Sequence, residues 1–184
     1  MATFGPSEDG IMQRLVPDRW QECLAAYLER YEREHAQCTA PFPGLEAVFA
    51  LLQHRGARLA IVTGKGAVSA AISLRYLGVA RYFDVVETGS PEGGIKPASI
   101  GRVLAHWAAR PDEVAYVGDA TADVDAARAA GVIALAAAWA ATARAEELAA
   151  RGPLATFPTV ADFHAWIEVN LVPDARVDER AHPG

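Results

Sequence analysis

The sequence has few cysteines, no long apolar run and no cluster of basic residues. Only Cys23 and Cys38 occur among its 184 residues, and two thiols in a chain expected in the cytoplasm are predicted to be free. The longest strongly apolar run, GVIALAAAWAATA at 131–143, is shorter than a membrane-spanning helix. The net charge is −6, and no basic patch interleaved with aromatic residues is present. These absences give neither membrane insertion nor nucleic-acid binding a physical basis.

What remains is the composition of a globular chain. Hydrophobic residues make up 52% and charged residues 22%, and the length is enough for one good-sized domain with a buried core. Residues 1–15 lack the charged-then-apolar order of a signal peptide. We therefore expect a cytoplasmic location.

From residue 43 onwards the apolar pattern alternates between short strands and amphipathic helices. Strands are expected in RLAIVTG, YFDVVETG, EVAYVGD, VIALAAA and LATF, with helices between them. RLAIVTG is nearly all apolar, so we expect it to be buried on both faces. Helix starts are expected at Ser7, at Pro97, and at Thr159, which forms a capping box with Asp162. This alternation predicts βαβ units and an α/β fold with a Rossmann-like, doubly wound parallel sheet. Residues 1–42 are expected to form a separate helical piece, 43–171 the α/β core, and 172–184 a flexible polar tail.

An aromatic face is expected on the second N-terminal helix. Trp20, Leu24, Tyr27 and Tyr31 are spaced i, i+4, i+7 and i+11 and so share one side. Two interpretations stay open here. The face can pack against the rest of the protein, or it can form a lid over an active site.

In an open parallel sheet, ligands bind at the carboxyl ends of the strands, and two candidates for anion binding lie there. Thr63 and Gly64 follow the strand RLAIV, where a hydroxyl and free N–H groups at the start of a helix suit an anion. Lys96 precedes Pro97 at the start of another helix and could neutralise phosphate. Taken singly, the threonine also fits a simple capping role and the lysine a solvated loop.

Two carboxylates form the third candidate. Asp119 directly follows the strand AYVG, and Asp123 lies on the first turn of the next helix. The helix dipole by itself favours an acid at Asp123, but it does not explain a Gly-Asp pair after a buried strand. Carboxylate oxygens at such a position suit Mg²⁺, which takes one or two carboxylates together with water and substrate phosphate.

The order of these features resembles the haloacid dehalogenase-like (HAD) hydrolases, and within them the phosphoglycolate phosphatase-like branch. The matching segments are PFPG, IVTGK, YFDVVETGS, GIKP and YVGDATADVDAARAAGV, and the resemblance extends from about residue 5 to residue 171. It implies hydrolysis of a small phosphorylated metabolite through an aspartyl-phosphate. Dehalogenase chemistry is the less favoured alternative within the family.

The resemblance also implies a role for each candidate residue. Thr63 and the Gly64 N–H would bind the phosphoryl oxygens, and Lys96 would steady the nucleophile and the developing charge. Asp119 would bind Mg²⁺, and Asp123 would support the metal through water or hydrogen bonds. Residues 1–42 would be the remnant of a helical cap.

The resemblance further implies a DxD motif at the end of the first strand, and no such motif is found here. Asp9 and the tail acids Asp174 and Asp178 do not follow an apolar strand. The strand that carries the motif would lie between those ending at Thr63 and Asp119. With neighbouring strands about 4.8 Å apart, its loss would leave a slot about 9.6 Å wide between two unpaired edges.

Three explanations of that gap stay open. The N-terminus can be truncated by a misplaced start or as a fragment, another chain or a swapped segment can fill the slot, or the protein can be non-catalytic. We expect a HAD-type phosphatase that is inactive as this isolated chain. The alternative is a non-catalytic phosphate-binding or protein-interaction module.

Overall fold

The computed structural model describes residues 6–94 and 96–171. Eight α-helices and five strands are found there, together with three short 3₁₀ helices at Pro17–Arg19, Ala80–Tyr82 and Pro111–Glu113. In chain order they are α1 Glu8–Leu15, α2 Trp20–His35, α3 Leu45–His54, β1 Ala60–Val62, α4 Ala67–Leu77, β2 Val85–Glu87, α5 Lys96–Trp107, β3 Ala115–Gly118, α6 Thr121–Ala129, β4 Ile133–Ala137, α7 Ala145–Ala150, β5 Ala155–Phe157 and α8 Val160–Asn170.

All strand pairs are parallel, which confirms the predicted α/β class. The strands form two sheets among the described residues: β1 pairs with β2, and β4 lies between β3 and β5. No pairing joins β1 to β3 in this part of the chain. The interruption therefore lies where the sequence predicted it, between the strands that precede Thr63 and Asp119.

Two hydrophobic clusters cover the two faces of the larger sheet. On one face Ala134 and Ala136 of β4 pack with residues of α5, α6 and α7, and on the other Leu135 packs with residues of α3 and α8. Alternate residues of a strand point to opposite faces, so β4 is buried on both sides. β1 is expected to be equally buried, but all three of its residues are only partly buried, because β2 is the only strand in the described part of the chain that pairs with it.

Local signals in the sequence account for several helix ends. Ser7 precedes α1 as predicted, and Pro97 lies in the first turn of α5, where its missing N–H costs no hydrogen bond. Thr159 and Asp162 form the predicted capping box of α8, with the Asp162 N–H donating to the Thr159 hydroxyl at 3.1 Å.

Helix α2 contacts the α/β part through α4. The Tyr31 hydroxyl lies 2.8 Å from the Ser73 hydroxyl, and Tyr27 stacks on Tyr31. Tyr31 of the aromatic face of α2 thus packs against α4. The division at residue 42 stays a prediction, and the expected flexible tail, 172–184, lies outside the described residues. Both cysteines are free thiols, as expected.

Candidate active site

Tyr116 links the end of β1 to the acids that follow β3. Its hydroxyl lies 3.3 Å from the Val62 carbonyl oxygen and 3.2 Å from Asp123 Oδ1. The hydroxyl has one proton to donate, which these two acceptors share. The loop that starts at Thr63 is thereby held next to the acidic end of β3.

Lys96 and Asp123 form a buried ion pair. The lysine begins α5 and the aspartate lies in the first turn of α6, yet the Lys96 ammonium contacts Asp123 Oδ1. Their side chains are only 12% and 4% exposed. The Ala120 N–H also donates to Asp123 Oδ2, at 3.2 Å, so both carboxylate oxygens are hydrogen-bonded. The lysine is therefore not the solvated loop residue that its sequence position also allowed.

Gly118 makes room for this arrangement. A Cβ added at Gly118 would overlap the Cβ and carboxyl carbon of Asp123. The absence of a side chain at the last position of β3 lets α6 approach the strand closely. Within the Gly-Asp pair, Gly118 is thus required for steric reasons and Asp119 supplies the charge.

Asp119 differs from Asp123 in its surroundings. It is exposed and lines a cleft of about 250 Å³ together with Thr121, Thr142 and Arg144. Among the described residues its carboxylate has no hydrogen-bond or salt-bridge partner. It is therefore the acid of this region that is open to a ligand from solvent.

Burial and nearby negative charge act together on Tyr116. Burial is the larger cause and the charge of Asp123 the next, and both raise the pKa of Tyr116 above its ordinary value. Both favour the neutral phenol over the phenolate. The hydroxyl thus stays protonated, and available as a donor, at neutral pH.

The loop after β1 has the features of an anion site but is not joined directly to the acids. The Lys65 N–H donates to Thr63 Oγ1 at 3.2 Å, and space is open where a Cβ would stand on Gly64. No acceptor within residues 6–94 and 96–171 takes the Gly64 N–H. Thr63 forms no hydrogen bond with Asp119 or Asp123. The roles of all five sequence-derived residues remain predictions.

The donor set fits a magnesium ion only in part. Asp119 offers an unengaged carboxylate, whereas both oxygens of Asp123 already accept hydrogen bonds. Within the described segments no group of three or more His, Cys, Asp or Glu residues could hold a metal. Mg²⁺ needs only one or two protein carboxylates when water and phosphate complete its shell, so Asp119 could hold it with help from further ligands.

Sequence reasoning missed two residues of this region. Tyr116 precedes Gly118 by two positions and so lies on the same face of β3, which was a usable signal. Glu8 lies on α1 and accepts a hydrogen bond from the Gly66 N–H at 2.5 Å. Nothing in the sequence pairs it with a loop 58 residues away.

Comparison with known proteins identifies relatives. The phosphoglycolate phosphatase of Synechococcus elongatus is 33% identical over 132 residues, covering 70% of this chain and 61% of that protein. Tyrosine-protein kinase PtkA of Mycobacterium tuberculosis is 31% identical over 121 residues, covering 65% and 42%. The chain thus spans about two-fifths to three-fifths of the length of these relatives.

Solved structures share the fold at lower identity. A haloacid dehalogenase-like family hydrolase from Streptococcus pneumoniae superposes with a TM-score of 0.70 at 22% identity, covering 89% of this chain and 77% of that one.

Within the described residues no helix is both long and apolar enough to cross a bilayer.

The family model for haloacid dehalogenase-like hydrolases matches residues 1–137. That match takes in the N-terminal helices, the loop after β1, Lys96 and both site aspartates. The chain therefore belongs to the haloacid dehalogenase-like hydrolase family.

Proposed function

We propose that this chain carries the metal- and phosphate-binding loops of a Mg²⁺-dependent phosphatase that hydrolyses a small phosphomonoester through an aspartyl-phosphate. The observation that carries the proposal is the buried Lys96–Asp123 pair beside the exposed Asp119 at the end of β3. A cation, a fixed acid and an open acid at one strand end are the groups that phosphoryl transfer uses for positioning and charge stabilisation.

Each residue has a defined part in this proposal. The Thr63 hydroxyl and the Gly64 N–H, which no described residue accepts from, bind the phosphoryl oxygens, and Lys96 offsets the charge that develops during transfer. Asp119 is the carboxylate that would hold Mg²⁺, and Asp123 orients Lys96. The metal would supply charge neutralisation and orientation when bound. A phosphoglycolate-like substrate is suggested by the names of several relatives.

Within residues 6–94 and 96–171, no strand lies between β1 and β3 to offer a carboxylate nucleophile. Asp123 contacts Lys96, but it lies on α6 after β3. We infer that the attacking carboxylate comes from a strand that fills the gap between the two sheets, supplied by a longer form of the chain or by another molecule. The isolated 184-residue chain is then inactive.

A non-catalytic phosphate-binding or interaction module is the second candidate. It is favoured by one observation: Lys96 already has a buried carboxylate partner in Asp123, so its charge is compensated without a nucleophile. In this alternative the chain binds phosphate or a partner and turns nothing over.

Turnover of an aryl phosphate with Mg²⁺ tests the two candidates. The 184-residue chain should be inactive. A version lengthened by a designed N-terminal strand that ends in DxDGT, followed by a helix, should be active and lose activity on Asp119→Ala. Turnover by the 184-residue chain that Asp119→Ala abolishes would contradict our account of the nucleophile. A folded, lengthened chain that binds phosphate without turnover would favour the non-catalytic module.

In the active, lengthened chain, Thr63→Ala and Lys96→Ala should each lower kcat/KM at least about tenfold, which corresponds to about 1.4 kcal/mol of transition-state stabilisation. Each substitution removes a group that contacts the phosphoryl oxygens or offsets their charge. Steady-state kinetics on variants shown to be folded by circular dichroism measure this. Arg19→Ala, an exposed cation on the N-terminal 3₁₀ helix, is the control. Unchanged rates in both site variants would remove these residues from the mechanism.

A further inference from the structure

The N-terminus of α4 is capped by a carboxylate from another helix. Gly66 is the N-cap residue of α4 and has no side chain to offer. Instead Glu8 of α1 accepts hydrogen bonds from the Gly66 N–H at 2.5 Å and from the Ser69 hydroxyl at 2.6 Å. Ser69 is almost fully buried, at 1% exposed. A glutamate that is distant in sequence thus occupies the positive end of this helix.

Both donors to this carboxylate are neutral. In the described part of the chain Glu8 forms no salt bridge with a lysine or arginine. Its charge is therefore stabilised by N–H and O–H dipoles and by the end of the helix. A bound phosphate is held at a helix N-terminus by the same kind of donors.

The position of Glu8 is set by the backbone on both sides of it. The Ser7 N–H donates to the Ser90 carbonyl at 3.0 Å, and Ser7 is 1% exposed. A Cβ at Gly10 would overlap the backbone of Pro91. The segment Ser7–Gly10 is thus seated on the loop that follows β2, and Glu8 is directed from there onto α4.

The donors that Glu8 occupies adjoin the proposed phosphate loop. Gly66 follows Thr63, Gly64 and Lys65, and the Gly89 N–H fixes this loop by donating to the Lys65 carbonyl at 2.7 Å. A phosphoryl group bound at Thr63 and Gly64 would lie beside the Glu8 carboxylate, which accepts a hydrogen bond from the Gly66 N–H two residues further along the chain. Two anions at one helix N-terminus repel each other, most strongly where water is excluded.

We propose that Glu8 is a built-in competing anion, which occupies the N-terminus of α4 when the site is empty and lowers its affinity for phosphate. Tight phosphate binding then requires Glu8 to leave the Gly66 N–H. Because Glu8 belongs to the segment Ser7–Gly10, its release also loosens α1 from the loops after β1 and β2. This inference rests on the proposed function, since it concerns the same phosphate loop.

The first experiment measures the hydrogen bond between the Gly66 N–H and Glu8 in the absence of ligand. Amide hydrogen exchange at Gly66, followed by NMR on the full 184-residue chain, should be slow in the wild type. It should be at least about tenfold faster in Glu8→Ala, because the acceptor of that N–H is gone. Glu29→Ala removes an exposed acid from α2 and should leave the Gly66 exchange unchanged. Equal Gly66 exchange in the wild type and in Glu8→Ala would overturn the inference.

The second experiment measures the competition between the Glu8 carboxylate and phosphate, with inorganic phosphate as the probe. Calorimetric titration should show at least fivefold tighter binding to Glu8→Gln than to the wild type, and unchanged binding to Glu29→Ala. The glutamine keeps an acceptor for the Gly66 N–H and removes only the charge, so the variant should remain folded. Equal or weaker binding by Glu8→Gln would overturn the inference.

The two proposals fail in different ways. If Thr63→Ala weakens phosphate binding while Glu8→Gln does not strengthen it, the phosphate loop stands and only the role of Glu8 is overturned. If no variant binds phosphate, both proposals are overturned. If Glu8→Gln strengthens binding but the lengthened chain has no turnover, the competition by Glu8 stands and the catalytic proposal fails.

Discussion

Tyr116 joins the two halves of an interrupted sheet with one side chain. Its hydroxyl lies between the Val62 carbonyl and the Asp123 carboxylate, and its ring packs against the hydrophobic cluster between the larger sheet and helices α5, α6 and α7. An ionised phenolate here would face a carboxylate and a carbonyl oxygen, both of which repel it. Neutral Tyr116 is therefore part of what holds β1 near β3.

Tyr116 should make the stability of the fold sensitive to alkaline pH. Its pKa is raised in the folded state, by burial first and then by Asp123, so the folded chain keeps a proton that the unfolded chain loses near pH 10. The contribution of this raised pKa to the free energy of unfolding is complete below pH 10. It is lost as pH rises further, by up to about 1.4 kcal/mol per pH unit. Urea unfolding of the wild type and Tyr116→Phe at pH 8 to 11 measures this.

Comparison of the two chains isolates the one residue, since the other tyrosines and the lysines titrate in both. The unfolding free energy of Tyr116→Phe should be lower at pH 8 by about 1 kcal/mol, for the lost hydrogen bond, and should fall less steeply above pH 10. Parallel pH profiles would show that Tyr116 is not held neutral by the fold.

Strand β3 and helix α6 fit together because Gly118 has no side chain. The carboxylate of Asp123 is thereby placed against the strand end, where the Ala120 N–H and Lys96 reach it. Loops that carry functional groups depend on such rigid packing of the elements beneath them. The geometry of the site is thus a property of the β3–α6 unit as much as of its acids.

Gly118→Ala should lower the free energy of unfolding by about 1–3 kcal/mol, the usual cost of forcing extra volume into a packed position. The added methyl group would overlap Asp123 and displace α6 from β3. Thermal or urea unfolding measures the change. Gly101→Ala is the matched control, because nothing lies within 4 Å of its added Cβ. In the interior of α5 it should stabilise by up to about 1 kcal/mol. Equal effects of the two substitutions would contradict the steric argument.

Two strand edges face a gap in the part of the molecule that the structure describes. The Leu59 carbonyl accepts a hydrogen bond from Asp84, and the Thr63 N–H donates to Glu87 of β2. The backbone groups of Ala60 and Val62 therefore point to the other edge of β1. Val114 accepts a hydrogen bond from Ile133 of β4, so Ala115 and Val117 point away from β4. Tyr116 satisfies one of these groups, the Val62 carbonyl. Unpaired edges of this kind favour pairing with another strand.

We expect the isolated 184-residue chain to self-associate with rising concentration, and Ala115→Pro to reduce this association. Proline removes the N–H that points into the gap and leaves the pairing of β3 with β4 intact. Sedimentation velocity over a concentration series measures the assembly state. Ala145→Pro, at the first residue of α7 where proline is tolerated, controls for the substitution itself. A chain that stays monomeric throughout would show that these edges do not drive assembly.

Most elements of the fold could be placed from the sequence because their signals are local. Alternation and helical periodicity located all five strands, and Ser7, Pro97 and the Thr159–Asp162 box located helix starts. The interruption of the sheet also followed from the sequence, through the strand that the family resemblance implies. The partial burial of β1 did not follow, since an apolar run has the same pattern whether or not a neighbouring strand covers it.

The candidate residues likewise came from position along the chain, because strand ends are where an α/β fold exposes functional groups. The sequence could nominate Thr63, Gly64, Lys96, Asp119 and Asp123, but not their contacts. That Lys96 is neutralised by Asp123, that Tyr116 spans the two sheets and that Glu8 caps α4 depend on how separate elements pack. Periodicity records which face of an element is apolar. Which side chains meet across 27, 54 or 58 residues is settled by packing in three dimensions.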